Sequence, residues 1–314
     1  MTVSRDPVDV GPIVAEVWPG AKLLEVSDLK GGISSRIRAV DIEQPDGTRE
    51  RFVLREPSDW ARTSDPQIAR TESHLMDQAV RSGIPAPVPV HLDTKNEPPD
   101  YLVTSFIPGE QIRDGAFLTD HADVAAAMLA RIHTMPIPPV PDLMRLHGAV
   151  FDMAAFDHAP ADMDANAKEP EIRAALRAHW PPRFNAPCQL HGDFWPGNIL
   201  WQGDRISAVL DWEDSLIGDP MYDLAIARLD WLWVAGPDGV EAFTRAYLSA
   251  APHVRADALP LWDLVVATRP LYGFAEWAKG WDDFGRPDIT EAAMRNAHNW
   301  FVSEALKVLG KKSI

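Results

Sequence analysis

The hydrophobic periodicity of the chain changes at Ile107-Pro108-Gly109, and this change constrains the fold more than any other feature. Before it, short β-branched and aromatic runs at 22–26, 36–42, 51–55, 87–90 and 101–106 alternate as strands do. A Pro45-Asp46-Gly47 turn joins the second and third of these in a meander. One helix interrupts them. The spacing predicts a start at Ser64-Asp65-Pro66, an apolar side carrying Ile68, Leu75, Met76 and Ala79, and an end at Gly83. Beyond Gly109 the spacing is helical. Val124, Met128, Leu129 and Ile132 form one stripe after a cap at Asp120. Residues 135–141 are proline-rich and predict a non-helical crossing, and from Pro220 the chain reads as helices, the last carrying Ala293, Ala297, Trp300, Phe301 and Leu306. The expected fold is α+β and bilobal. Residues 1–106 form a small β-sheet lobe with one helix, and residues 107–314 a larger, mainly helical lobe, with a ligand cleft between the two.

A chain of 314 residues is long enough for these two cores. The net charge of -16 argues against a nucleic-acid partner. It suits a cationic small molecule, and equally serves solubility. No apolar run approaches the roughly 20 residues of a membrane span, and the first residues lack a signal-peptide core. The single Cys188 allows no intrachain disulfide, so a cytoplasmic location is expected. It precedes a polar motif in an apolar setting and reads as a small core residue. No obligate protein partner is evident.

That motif is His191-Gly192-Asp193-Phe194-Trp195-Pro196-Gly197-Asn198, followed by Val209-Leu210-Asp211-Trp212-Glu213. Two short strands, 198–201 and 206–210, joined by a Gln202-Gly203-Asp204 turn, connect its halves. Phosphoryl transfer needs one carboxylate at the acceptor hydroxyl, and an amide oxygen with a second carboxylate to hold Mg2+. Asp193, Asn198 and Asp211 offer that set, and the Asp193 to Asn198 interval is that of a kinase catalytic loop. His191 is better placed to hold the loop than to do chemistry. Asp219 and Asp223, after Gly218, read as a helix cap and a loop tie.

Neither a P-loop nor a G-x-G-x-x-G turn is present. The phosphate-binding candidate is Gly31-Gly32-Ile33-Ser34-Ser35, where two glycines and two hydroxyls between strands open the backbone to an anion; the same residues would also make an ordinary hairpin. Glu72 interrupts the apolar side of its helix. A buried acid needs a partner, and Arg55 at the end of the third strand is the obvious one. The pair would aim the guanidinium at nucleotide phosphates.

On these residues, and on Gly218-Asp219-Pro220 with Asp223-Leu224-Ala225, the sequence resembles the aminoglycoside phosphotransferase family, small-molecule kinases whose fold is similar to protein kinases and choline kinases. The resemblance runs from Gly31 to the C-terminal helices. It implies ATP (GTP is also compatible) and Mg2+ as cofactors, Asp193 as catalytic base, and Asn198 and Asp211 as metal ligands. It also implies that Ser105-Phe106-Ile107 is the hinge against the adenine edge. Arg55 stands in place of the family's strand lysine, and Glu213 in place of a second aspartate, which makes Glu213 a further metal candidate. The implied activity is transfer of the γ-phosphoryl group to a hydroxyl of an amino sugar, antibiotic or amino-alcohol type acceptor. A pseudokinase-like ligand-binding protein is the alternative, and a metallohydrolase built on His191, Asp193 and Asp211 a third reading. Trp231, Trp233, Trp277 and Trp281, near Glu276, Asp282 and Asp283, could wall an acceptor pocket or simply pack between helices.

Overall fold

The structure is a computed structural model that describes residues 6–29, 35–137 and 160–312. Its described residues fall into two compact units, one within Met1–Gly109 together with Ser207–Glu213, the other within Glu110–Ile206 together with Asp214–Ile314.

The first unit is built on a five-stranded antiparallel sheet of order β1-β2-β3-β5-β4. The strands are β1 (Lys22–Asp28), β2 (Ser35–Glu43), β3 (Arg49–Pro57), β4 (Pro89–Leu92) and β5 (Leu102–Ser105). The β2–β3 turn follows its sequence. Asp46 accepts the Thr48 N–H at 2.9 Å, and Gly47 takes the left-handed φ of 84° that the turn requires. One face of the sheet buries Val40, Ile42, Leu54 and Val103. Helix α1 (Val10–Val17) covers them with Val10, Ile13 and Val14 after an Asp9 cap. Helix α3 (Ile68–Arg81) buries Ala69, Glu72, Leu75, Met76 and Ala79.

Two details differ from the sequence reading. The sheet carries α1 and a short α2 (Asp59–Ser64) besides the expected helix. The expected helix start at Ser64 is where α2 ends instead. Pro66 forces the preceding residue out of the helical region, and Asp65 is extended at φ -138°, ψ 100°, so α3 begins only at Ile68.

The second unit is mainly helical. Asp114 caps α4 (Gly115–Asp120) by accepting the Phe117 N–H, and α5 (Ala122–Ile132) follows. Asp120 therefore closes one helix rather than capping the next, because Asp114 has already started the turn. Residues 135–137 are non-helical, as expected; the rest of the proline-rich crossing lies outside the described residues. After α6 (Glu169–His179), β6 (Cys188–Leu190) pairs with β9 (Leu216–Gly218). The motif between them continues into β7 (Ile199–Gln202) and, after a turn at Gly203, into β8 (Arg205–Val209), whose residues from Ser207 on belong to the first unit.

Helix α7 (Pro220–Ala250) is capped by Asp219 and kinks at Gly236-Pro237. With α8 (Leu259–Val266), α9 (Phe274–Asp283) and α10 (Glu291–Lys312) it encloses a core around Trp231, Phe243, Trp262 and Phe301. Within that core Arg228 of α7 grips both Asp263 oxygens of α8 at 3.0 and 3.1 Å. Among the described residues no helix is long and apolar enough to cross a membrane.

Candidate active site

In the second unit, β6 delivers the chain to His191 and the loop then turns sharply. Gly192 makes the turn at φ 84°, and a Cβ there would lie 1.9 Å from the Asp214 carbonyl oxygen. Only glycine fits. Asp223, one turn into α7 and fully buried, accepts the His191 N–H at 2.7 Å and the Gly192 N–H at 2.9 Å. His133 Nε2–H donates to the same carboxylate at 3.1 Å, while Tyr247 O–H donates to His133 Nδ1 at 2.7 Å. Burial alone would raise the Asp223 carboxyl, but the bond from His133, the nearby histidines and the loop amides together hold it below the usual range. The loop is thus hung on an ionised carboxylate.

Asp193 follows on that turn. Its N–H donates to His191 Nδ1 at 3.3 Å, a bond within the loop. Asn198 Nδ2 donates both to the Asp193 carbonyl at 3.0 Å and to its Oδ2 at 3.1 Å. With its nitrogen committed, the Asn198 carboxamide keeps its oxygen as an acceptor. Oδ1 of Asp193 accepts from Arg269 Nη2 at 2.9 Å. Asp219 caps α7 and also takes two hydrogen bonds from Asn185, so it is structural.

The second cluster lies wholly in the first unit. Arg55 reaches Glu72 through Nη2 to Oε1 at 3.0 Å and Nε to Oε2 at 3.2 Å, so the pair expected from sequence forms. It is not alone. Arg55 Nη2 is 2.7 Å from Asp211 Oδ1 and 3.7 Å from Glu213 Oε2. Burial opposes the charge on Arg55, yet Glu72, Asp211 and Glu213 together keep it firmly protonated. Glu72 is pushed up to about 7, by burial first, against the pull of Arg55. One guanidinium among three carboxylates leaves the cluster electron-rich. Asp211 sits at φ 63°, a left-handed conformation that is strained for a residue with a side chain. Arg55 engages its Oδ1, so Oδ2 is open on the Arg55 side. Asp211 carries a hard carboxylate oxygen of the kind Mg2+ takes, as does the Asn198 carboxamide in the other unit.

The other candidates divide. Gly31, Gly32 and Ser34 lie outside the described residues, while Ser35 is buried at the start of β2. The Ser105 N–H donates to Val88 O at 2.9 Å, which leaves it no proton for a ligand; Phe106 and Ile107 are half-buried just beyond β5. Cys188 is half-buried, and its thiol is raised well above the usual range by burial and by Asp223 and Asp219, as suits a packing residue. Trp231 is a core residue, 4.5 Å from the Phe243 ring. Trp281 packs edge-on to Trp195 at 5.5 Å, and Trp277 to Trp233 at 5.9 Å. Glu276 is exposed and paired with Lys279.

Sequence reasoning missed Arg269, Asp230, His133 and Tyr247. Asp230 was discoverable, since it interrupts the apolar run Leu224–Val234 as Glu72 does its own helix. Nothing local marks Arg269.

The family model described as "Phosphotransferase enzyme family" (APH) matches residues 25–259. The chain belongs to that family. A homoserine kinase of Methylobacillus glycogenes is 27% identical over 75% of this chain and 74% of its own length. A homoserine kinase of Methylocella silvestris is 36% identical, but over 26% of this chain and only 27% of the relative's length. Among solved structures, a thermostable mutant of aminoglycoside phosphotransferase APH(4)-Ia, in ternary complex with ADP and hygromycin B, superposes with a TM-score of 0.63. It is 18% identical and covers 94% of this chain and 98% of that one, so the likeness is one of fold.

Proposed function

We propose that the protein is an ATP- and Mg2+-dependent kinase that phosphorylates a hydroxyl of a small molecule. The observation that carries this reading is the fixation of Asp193, whose two carboxylate oxygens are held by Asn198 and Arg269 on a loop tied to Asp223. The acceptor hydroxyl would donate to an Asp193 oxygen. As the acceptor oxygen bonds to the γ-phosphorus and the bond to ADP breaks, its proton passes to Asp193. A carboxylate is a weak base, so most of the benefit is orientation. Asn198 and Asp211 would hold Mg2+, which supplies charge neutralisation on the phosphates. Arg55, tied by Glu72, would place a positive charge near them, and Gly31, Gly32, Ser34 and Ser35 would approach them through backbone and hydroxyl groups. Phe106 and Ile107 would meet the adenine edge. The names of the relatives, homoserine kinase and aminoglycoside phosphotransferase, support a small hydroxylated acceptor with nitrogen functions.

Purified protein with Mg-ATP and a panel of amino sugars, macrolides, choline and homoserine should release ADP with at least one acceptor. That turnover should fall by about a thousandfold or more in Asp193→Asn. An Asp193→Asn protein as active as wild type would remove the assignment. The pseudokinase reading draws on one feature, the occupation of Asp211 Oδ1 by Arg55, and any phosphorylated product disposes of it.

A further inference from the structure

Helix α7 turns two acids toward the motif loop. Asp223 and Asp230 are seven residues apart, two turns on one face, with a rise of about 10 Å between them. Asp223 is fully committed to the His191 and Gly192 amides and to His133. Asp230 is only 7% exposed and makes no hydrogen bond among the described residues, although Arg269 and Asp193 are its charged neighbours. A buried carboxyl without partners is costly and asks for a reason. Burial, with a contribution from Asp193 and against Arg269, pushes it up to about 8.

Arg269 has the complementary shortfall. Of its nitrogens, only Nη2 makes a side-chain hydrogen bond among the described residues, to Asp193, and the side chain is 20% exposed beside the Trp277 ring. A guanidinium has five N–H donors, so most of its capacity is unspent. The segment that carries it is pinned at both ends. The Ala267 carbonyl accepts from His298 Nε2 at 2.8 Å. Tyr272, held at a left-handed φ of 66°, donates its O–H to the buried Glu169 at 2.6 Å. Arg269 is therefore preorganised rather than searching for a partner.

We propose that Arg269 and Asp230 are the acceptor-recognition pair beside Asp193: Arg269 takes a carboxylate and Asp230 an ammonium group of a small hydroxylated zwitterion, a hydroxy amino acid. This rests on the kinase reading with Asp193 at the hydroxyl. A zwitterion meets the spare Arg269 donors with its carboxylate and gives Asp230 the cation it lacks. A neutral sugar would leave Asp230 without a charged partner, and a simple cation would leave the Arg269 donors unused. Asp230 gives up its proton to solvent as the ammonium arrives.

The test uses the whole chain with Mg-ATP and three matched hydroxyl compounds: homoserine, aminopropanol, which lacks the carboxylate, and γ-hydroxybutyrate, which lacks the ammonium. KM and kcat are read from ADP release, and acceptor binding independently by calorimetry without nucleotide. Homoserine should be preferred by about tenfold or more over either truncated compound. In calorimetric affinity, Arg269→Gln should weaken homoserine and γ-hydroxybutyrate about tenfold or more relative to aminopropanol, and Asp230→Asn should weaken homoserine and aminopropanol relative to γ-hydroxybutyrate; because Arg269 also holds Asp193, Arg269→Gln lowers kcat for every acceptor as well. Arg269→Lys, which keeps the charge, guards against a folding failure and should recover part of the homoserine binding.

Three results overturn the proposal: equal use of all three compounds, no binding of homoserine, or an Arg269→Gln loss confined to kcat and shared by every acceptor. The last would make Arg269 a positioning residue for Asp193 alone. Failure of the kinase reading looks different, as no acceptor of any class would then yield ADP.

Discussion

Asp223→Asn tests whether the motif loop hangs on one carboxylate. In the native protein Oδ2 serves the His191 N–H and His133 Nε2–H, and Oδ1 serves the Gly192 N–H. Asparagine has one acceptor oxygen. His133 can adapt by switching tautomer, but the two main-chain N–H groups cannot, so at least one meets an NH2 group in a site that is fully buried. Hydrogen bonds to a charged group are worth about 1.5–3 kcal/mol each and neutral ones about 1, so losing one and neutralising two should cost about 3–5 kcal/mol. For a unit of this size that lowers the melting temperature by roughly 10 °C, readable by calorimetry or urea unfolding.

The pH dependence carries a second signature. The folded Asp223 carboxyl titrates below its unfolded value, so its contribution is complete above about pH 4 and disappears as the pH falls through the folded pKa. The stability gap between wild type and variant should be constant near neutrality and close in acid. A variant within about 1 kcal/mol of wild type at pH 7, with phosphotransfer intact, would refute this account of the loop.

Gly192→Ala should cost more than about 2 kcal/mol and abolish turnover, since the new Cβ meets the Asp214 carbonyl at a backbone angle alanine avoids; an alanine variant with normal melting and activity contradicts the turn geometry. Asp230→Asn should stabilise the empty protein by about 1–3 kcal/mol at pH 7. The raised Asp230 carboxyl binds a proton in the folded state that the unfolded chain has released, so wild-type stability should fall between roughly pH 4 and pH 8, and the urea midpoints of the variant should not follow that decline. Cys188, raised and packed, should react with iodoacetamide at pH 8 much more slowly in the native protein than in urea; equal rates would mean the thiol is free to ionise.

What could be read in the sequence was whatever local pattern determines. The strands, the Asp46-Gly47 turn and the helix carrying Glu72 are set by alternation, turn chemistry and 3.6-residue spacing, all of which act over a few residues. Helix α1 was not legible, because Val10-Gly11-Pro12 reads as a break and the helix exists by burying three side chains on a sheet formed later in the chain. The α2–α3 interruption was legible in principle, since Pro66 restricts Asp65 whatever the surroundings.

The site divides along the same line. Glu72 declared itself as an acid on an apolar face, and Arg55 answered across 17 residues. That Asp211 also answers, 156 residues from Arg55, follows only from tertiary packing, as does Arg269 on Asp193 across 76 residues. Asp230 shows what the sequence test lacked. An acid in an apolar run announces that a charge must be met, but not by what. For Glu72 the partner is a neighbouring strand. For Asp230 no hydrogen-bond partner is found among the described residues, and an acid left in that state beside the proposed base is better explained by a ligand that completes it than by the fold.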